Sequence, residues 1–195
     1  MAAARKNKVD QIYEAAKALF MHHGVRRVPV EEICCKAQVS KMTFYKHFRN
    51  KSDLLKYIIR RMVDEAMSQY DEIMEQSIPF REKVKKIVQL KWRQTNDLGQ
   101  EFFNDIHKEA EPEIKELIAQ IAQESYQRIV QDITRAQKAG HIKMEFHPAF
   151  LLCMLENLLQ AAKNEKLLAL YDTPQDLIME LTRFFFYGIF GKDET

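Results

Sequence analysis

The chain has 195 residues, 46% of them hydrophobic, and a formal net charge of +2, enough for one large or two small domains with a real core. Five Gly and five Pro fall well short of the usual combined share of about 12%. No apolar run reaches the roughly 18 residues that cross a bilayer, so an all-α protein without a membrane span is expected.

In chain order, a first helix is expected over about 6–22. Val9, Ile12, Tyr13, Ala16, Leu19 and Phe20 follow the i, i+3, i+4 spacing of one apolar face, and Gly24 ends it. A second helix covers about 30–37 with Pro29 at its start. After the turn Gln38-Val39-Ser40, Ser40 is placed to cap a third helix, 41–48, by accepting from the N–H of Met42 or Thr43. On that helix Phe44 and Phe48 are four apart and share an inward face, while Lys41, Met42, Tyr45 and Lys46 fall elsewhere. A long fourth helix runs from Lys51 or Ser52 to about Met74. The break EQSIPF precedes a helix to about Thr95, and a shorter one spans about 99–109. Pro112 opens a helix to about Lys138, Pro148 another to about Asn164, and the cap Thr173-Pro174-Gln175-Asp176 a last one to about Phe190. The count is nine helices.

Charge is unevenly spread. Residues 1–51 hold eleven Lys or Arg against four acids, and the remainder nineteen against twenty-four. A basic quarter on an acidic remainder fits one part that meets a polyanion and one that does not. Two short helices joined by a turn, the second with an outward basic face, form a helix-turn-helix pattern. A helix about 10–12 Å wide fits a B-DNA major groove of about 12 Å. The ligand-free alternative is a small basic helical hairpin.

The stretches IYEAAKALFMHHGVRRVPVEEI and AQVSKMTFYKHFRNKSDLL resemble the TetR family of one-component transcriptional regulators. Ile12, Ala15, Leu19, Phe20, Gly24, Ile33, Ala37, Val39, Ser40, Thr43, Phe44, Tyr45, His47, Phe48, Lys51, Leu54 and Leu55 fit its pattern across about 45 residues; the rest agrees in helix count, length and order. Three positions depart from it. Pro29, after Val28, stands where a capping Ser or Thr is usual, Gln38 where the turn usually has Gly, and Met42 where a Gly is frequent. Gln38 is therefore a candidate for a positive φ, and Met42 for a contact to a thymine methyl.

The resemblance implies a DNA-binding domain over 1–51 and a ligand-binding and dimerisation domain over 52–195. Lys41, Met42, Thr43 and Lys46 would face the groove, Tyr45 and His47 the DNA backbone or a base edge. Lys51 would meet a phosphate, and Arg26, Arg27 and Arg49 are further phosphate candidates. The implied partners are a palindromic double-stranded operator, a second copy of the chain and a small-molecule effector of apolar or aromatic character. Trp92, Phe103, His107, Tyr126 and Met154 are candidates to line the effector pocket, though each also reads as core. For the dimer interface, the last two long helices are apolar on more than one face, and Leu151, Leu155, Leu158, Leu177, Leu181, Phe184 and Phe185 are the candidates.

No cofactor and no metal site is expected. His22-His23 and Cys34-Cys35 are adjacent pairs that point about 100° apart on a helix and make no chelating face. Three Cys, two of them adjacent, make no disulfide framework, and the N-terminus has no apolar export segment, which fits a reduced cytoplasmic setting. Catalytic signatures are absent. Glu101, Asp105 and Glu109 read as a solvated acidic stripe. The leading expectation is a ligand-responsive repressor. The alternatives are a regulator or architectural protein that answers to a protein partner or to no ligand, and an all-helical enzyme with an incidental basic end.

Overall fold

The computed structural model describes residues 7–96, 99–107, 110–142 and 146–188. Among them are ten helices and no strand: α1 Lys8–His23, α2 Val30–Ala37, α3 Lys41–His47, α4 Lys51–Met74, α5 Phe80–Thr95, α6 Gln100–His107, α7 Pro112–Lys138, α8 Pro148–Ala162, α9 Glu165–Leu168 and α10 Pro174–Gly188. Nine match the sequence expectation closely. The tenth is α9, a single turn. Asn164, expected as the end of α8, instead accepts from the N–H groups of Lys166 and Leu167 and starts a new helix. The expected ends at Glu109 and Phe190 lie outside the described residues.

The chain forms two compact units, Met1–Val63 with Asp97–Ile118, and Asp64–Asn96 with Ala119–Thr195. The expected boundary at residue 51 followed the motif alone. Packing extends the first unit over the start of α4, α6 and the start of α7, because these helices bury the apolar backs of α1 to α3.

In the first unit α1 packs on α2, α3 and α6. Ile12, Tyr13, Ala16, Phe20, Ile33, Phe44, Leu54 and Ile58 are all but inaccessible, as are Phe102, Phe103 and Ile114. Tyr57 of α4 meets the rings of Tyr13 and Phe48 edge-on or tilted, at 6.1 and 5.5 Å. The α1–α6 approach is very close, since a Cβ at Gly99 would stand 2.3 Å from the Met21 carbonyl oxygen. Across the outer faces Asp10 pairs with Arg61 at 2.6 Å and Lys56 with Glu113.

In the second unit the core is built by Tyr70, Ile73, Val84, Ile87, Val88, Ile133, Leu151, Leu155, Met179, Phe185 and Phe186, with neighbours of the same kind. Asp132 is the buried acid. It accepts from the Tyr70 hydroxyl at 3.1 Å, pairs with Arg135 at 2.7 Å and lies 3.4 Å from Arg128, which also reaches Asp71. The buried carboxylate is thus compensated, as its burial requires. Of the residues expected at a dimer interface, Leu151, Leu155, Leu177 and Phe185 are buried inside their own subunit, so they cannot also cover a partner. Leu158 and Leu181 are half-buried, and Phe184 is 66% exposed. Successive residues on a helix turn about 100° apart, and packing against the unit's own core takes Phe185 and Phe186.

Gly99→Ala drives a methyl into the Met21 carbonyl and must push α6 off α1. A loss of about 1–3 kcal/mol is expected, read as a lower midpoint in thermal or urea unfolding.

Candidate nucleic-acid interface

α2 is eight residues long, opened by Pro29 in an extended conformation that offers no side-chain cap. It ends at Gln38, whose φ of 53° and ψ of 48° are left-handed. Gln38 is the sole non-glycine residue with positive φ among the described residues, and it carries there the strain of roughly 1–2 kcal/mol that a Cβ imposes. The left-handed residue reverses the chain in the fewest steps. The Gln38 N–H reaches the Cys35 carbonyl and the Val39 N–H the Cys34 carbonyl, at 3.1 and 3.0 Å.

α3 then starts on its expected cap. The Ser40 hydroxyl accepts from the Thr43 N–H at 3.0 Å and lies 2.9 Å from the Thr43 hydroxyl. Phe44 and Phe48 are buried at 0 and 5% exposure and meet at 5.9 Å. They set the rotation of the helix about its axis. Met42 is then 82% and Tyr45 54% exposed, and Lys41, Lys46 and His47 are exposed as well. Tyr45 also touches the Phe44 ring edge-on at 5.3 Å. An exposed face of two cations, an imidazole, a phenol and a thioether suits phosphates and base edges.

Lys41 has a partner already. Its ammonium pairs with Glu31 of α2, and this hydrogen bond raises the lysine's pKa and lowers the carboxylate's. Thr43 is half-buried, its hydroxyl turned to Ser40.

Lys51 is differently placed from expectation. Its ammonium donates to the carbonyl oxygens of Arg26 at 3.2 Å and Val28 at 3.0 Å, and burial pulls its pKa down against the opposing influence of Asp105. The loop between α1 and α2 is thus held from α4. It is held from α6 as well. Asp105 accepts from the Arg26 N–H at 2.9 Å, Glu101 lies 3.6 Å from Arg27, and a Cβ at Gly24 would stand 2.7 Å from the Asp105 carboxylate. Asp105 and Glu101 are therefore docking groups rather than a free acidic stripe. Their four-residue spacing was visible in the sequence; their partners, some 75 residues earlier, were not. Glu109 lies outside the described residues. Arg49 offers its backbone N–H to Asp53 at 3.1 Å, which leaves its side chain to solvent.

The cysteines are free, with Cys34 buried and its thiol pKa raised chiefly by that burial, and Cys35 and Cys153 exposed. Among the described residues no three His, Cys, Asp or Glu gather as a metal site, and no helix is long and apolar enough to cross a membrane.

The candidates for an effector pocket divide between the units. Phe103 is buried in the first unit with His107 against it at 4.5 Å between ring centroids. Trp92, Tyr126 and Met154 belong to the second. There Met154 and Tyr126 pack on the core cluster, and burial with Glu156 nearby pushes the Tyr126 hydroxyl up to about 12. Trp92 is half exposed, its carbonyl accepting from Gln175 at 3.0 Å.

A short bracing helix, a left-handed turn and a capped helix with an exposed cationic face define a helix-turn-helix transcriptional regulator. The model of bacterial regulatory proteins of the tetR family matches residues 12–58. YhgD, an uncharacterised HTH-type transcriptional regulator of Bacillus subtilis (strain 168), is 29% identical over 134 residues, 68% of this chain and 70% of that protein. Two solved structures share the fold over nearly the whole length. The fatty acid degradation regulator FadR from Bacillus halodurans matches with a TM-score of 0.70 at 18% identity, over 94% of this chain and 97% of that one. The regulator FadR from Bacillus subtilis, in complex with stearoyl-CoA, matches with a TM-score of 0.68 at 17% identity, over 92% and 98%. Residues 12–58 thus carry the DNA-binding part of the TetR family, and the rest of the chain shares the fold of its solved regulators.

If Lys51 serves the loop, Lys51→Met lowers stability by about 1 kcal/mol through two under-served carbonyls and leaves the salt dependence of DNA binding unchanged. Lys46→Ala behaves in the opposite way, flattening the slope of log affinity against log salt by about one at unaltered melting temperature. Paired melting curves and salt titrations on the two variants read the difference.

Proposed function

We propose that this DNA-binding regulator is a homodimeric repressor that holds a palindromic operator and leaves it when a small molecule enters the second unit. The observation that carries the DNA-binding half is the orientation of α3. Ser40 fixes its start and Phe44 and Phe48 its rotation, so that Met42, Tyr45, Lys46 and His47 stand out together. Tyr45 and His47 supply donors for phosphate or base edge, Lys46 supplies charge, and Met42 offers an apolar surface to a thymine methyl. A two-fold dimer would set two such helices in grooves one turn apart, roughly 34–36 Å. The exposed rings of Phe150, Phe184 and Tyr187 on α8 and α10 support that pairing, since an unpaired subunit would leave them in water.

Release would follow from effector binding that favours one tilt of α4, the helix that carries Lys51 and its hold on the α1–α2 loop. The effector is an apolar molecule, and a long-chain acyl compound is the class to try first. The FadR structure with stearoyl-CoA supports that choice at the level of a shared fold. A protein acting on bacterial DNA would work in the cytoplasm.

The test is selection of bound fragments from a genomic pool, followed by footprinting. A recovered two-fold site, bound with a steep salt slope, and a loss of tenfold or more in Tyr45→Phe, Lys46→Ala are expected. Recovery of no preferred sequence, or unchanged affinity in the double variant, sinks the assignment.

A further inference from the structure

The turn between α2 and α3 is closed by a strained residue. Gln38 holds φ 53° and ψ 48°, a left-handed conformation that Gly enters freely. Asn and Asp also enter it, because a short polar side chain can bond to the backbone nearby. Gln is one methylene longer and lacks that local compensation. The hydrogen bonds that close the turn run from the backbone N–H groups of Gln38 and Val39 to the Cys35 and Cys34 carbonyls. The side-chain amide takes no part in them, and the residue is exposed to solvent. Strained backbone of this kind gathers at sites that hold a ligand.

Gln38 stands beside the surface that α3 presents. Ser40, the cap of α3, is two residues on, so the two Cα atoms lie within about 7 Å of each other. Ser40, Lys41 and Met42 are exposed, and so is Lys36 just before the turn. In a helix-turn-helix the start of the second helix enters the major groove, and sugar and phosphate form the walls of that groove. A side chain just ahead of the helix start meets the wall before it meets the base edges. A carboxamide there offers two N–H donors, and Gln is among the side chains that donate to phosphate oxygens. Lys36 adds positive charge beside it, which favours an anion at this place.

We infer that Gln38 is a phosphate-binding residue of the DNA interface, its amide donating to one backbone oxygen of the duplex where α3 enters the groove. The left-handed turn sets the position of that amide. A Gly at the same place would relax the turn and leave the phosphate oxygen to water. This rests on the reading of α3 as the groove-facing helix.

Anisotropy titrations of the full chain on the operator recovered by genomic selection, with a melting curve for each variant, test it. Gln38→Met keeps the length and the Cβ but has no donor. It should bind about fivefold more weakly, the effect of one neutral hydrogen bond. The slope of log affinity against log salt should not change, since a neutral amide releases no counterion. Gln38→Lys should bind at least as tightly as the parent and steepen that slope by about one. Gln38→Gly should melt at or above the parent temperature, because the strain has gone, yet bind as weakly as Gln38→Met; this separates a lost contact from a lost fold. Single phosphates of the operator are then replaced by neutral methylphosphonates. At one position in each half-site the replacement should weaken the parent severalfold more than it weakens Gln38→Met. The inference is overturned if Gln38→Met binds as tightly as the parent, or if every methylphosphonate affects the two proteins alike. It is overturned as well if the loss in Gln38→Met is confined to particular base pairs, since a phosphate contact weakens all sequences together. Weaker binding in Lys46→Ala but not in Gln38→Met removes Gln38 from the interface and leaves α3 in the groove. Unchanged binding in both places the failure with α3 itself.

Discussion

The helix pair that presents α3 is braced through one loop of six residues. Residues 24–29 must leave α1 and enter α2 without regular structure, and three of the loop's backbone groups are served from elsewhere. The Arg26 N–H is taken by Asp105, and the Arg26 and Val28 carbonyls by Lys51. Unserved backbone groups at such a junction are costly. The loop therefore stays in one conformation only while α4 and α6 hold their places. Gly24, with φ of 80° and no Cβ, lets Asp105 come close enough to do this.

In the proposed repressor, this arrangement would tie DNA binding to the placement of α4 and α6. A change in α4 or α6 that strained these contacts would reach α2, and through Gln38 and Ser40 the rotation of α3. The Asp132 cluster gives the second unit its own tie between α4 and α7, through Tyr70 and through the Asp71–Arg128 pair. An event on α7 thus has a polar route to the same long helix.

The helices were legible because their signals are local. Apolar spacing, Ser40 as cap, the Pro at α7, α8 and α10 and the Gly after α1 each act within a turn. Gln38 was legible as a positive φ because the family turn usually holds Gly there. The short α9 was not, since four residues make no period and Asn164 reads equally as an end or a start. The hold of Lys51 on the α1–α2 loop was not legible for a related reason. A cation beside a recognition helix looks the same in sequence whether it meets a phosphate or a carbonyl 23 residues back. Asp105 and Glu101 showed their common face but not what it docks against. The aromatic residues proposed for a pocket fell into two different units because abundance carries no address.

The Glu31–Lys41 pair has a consequence for selectivity. A carboxylate on the bracing helix already sits where an anion would approach the groove-facing lysine. Any polyanion must first displace it, and an RNA helix, a membrane headgroup or random DNA gains only charge contact in exchange. Under the proposed function, a cognate duplex would add base-edge contacts at Met42 and Tyr45 to the same exchange. In that complex the tethered carboxylate would act as an internal decoy, a small and fixed handicap for every competitor, and a ligand with shape as well as charge would overcome it best.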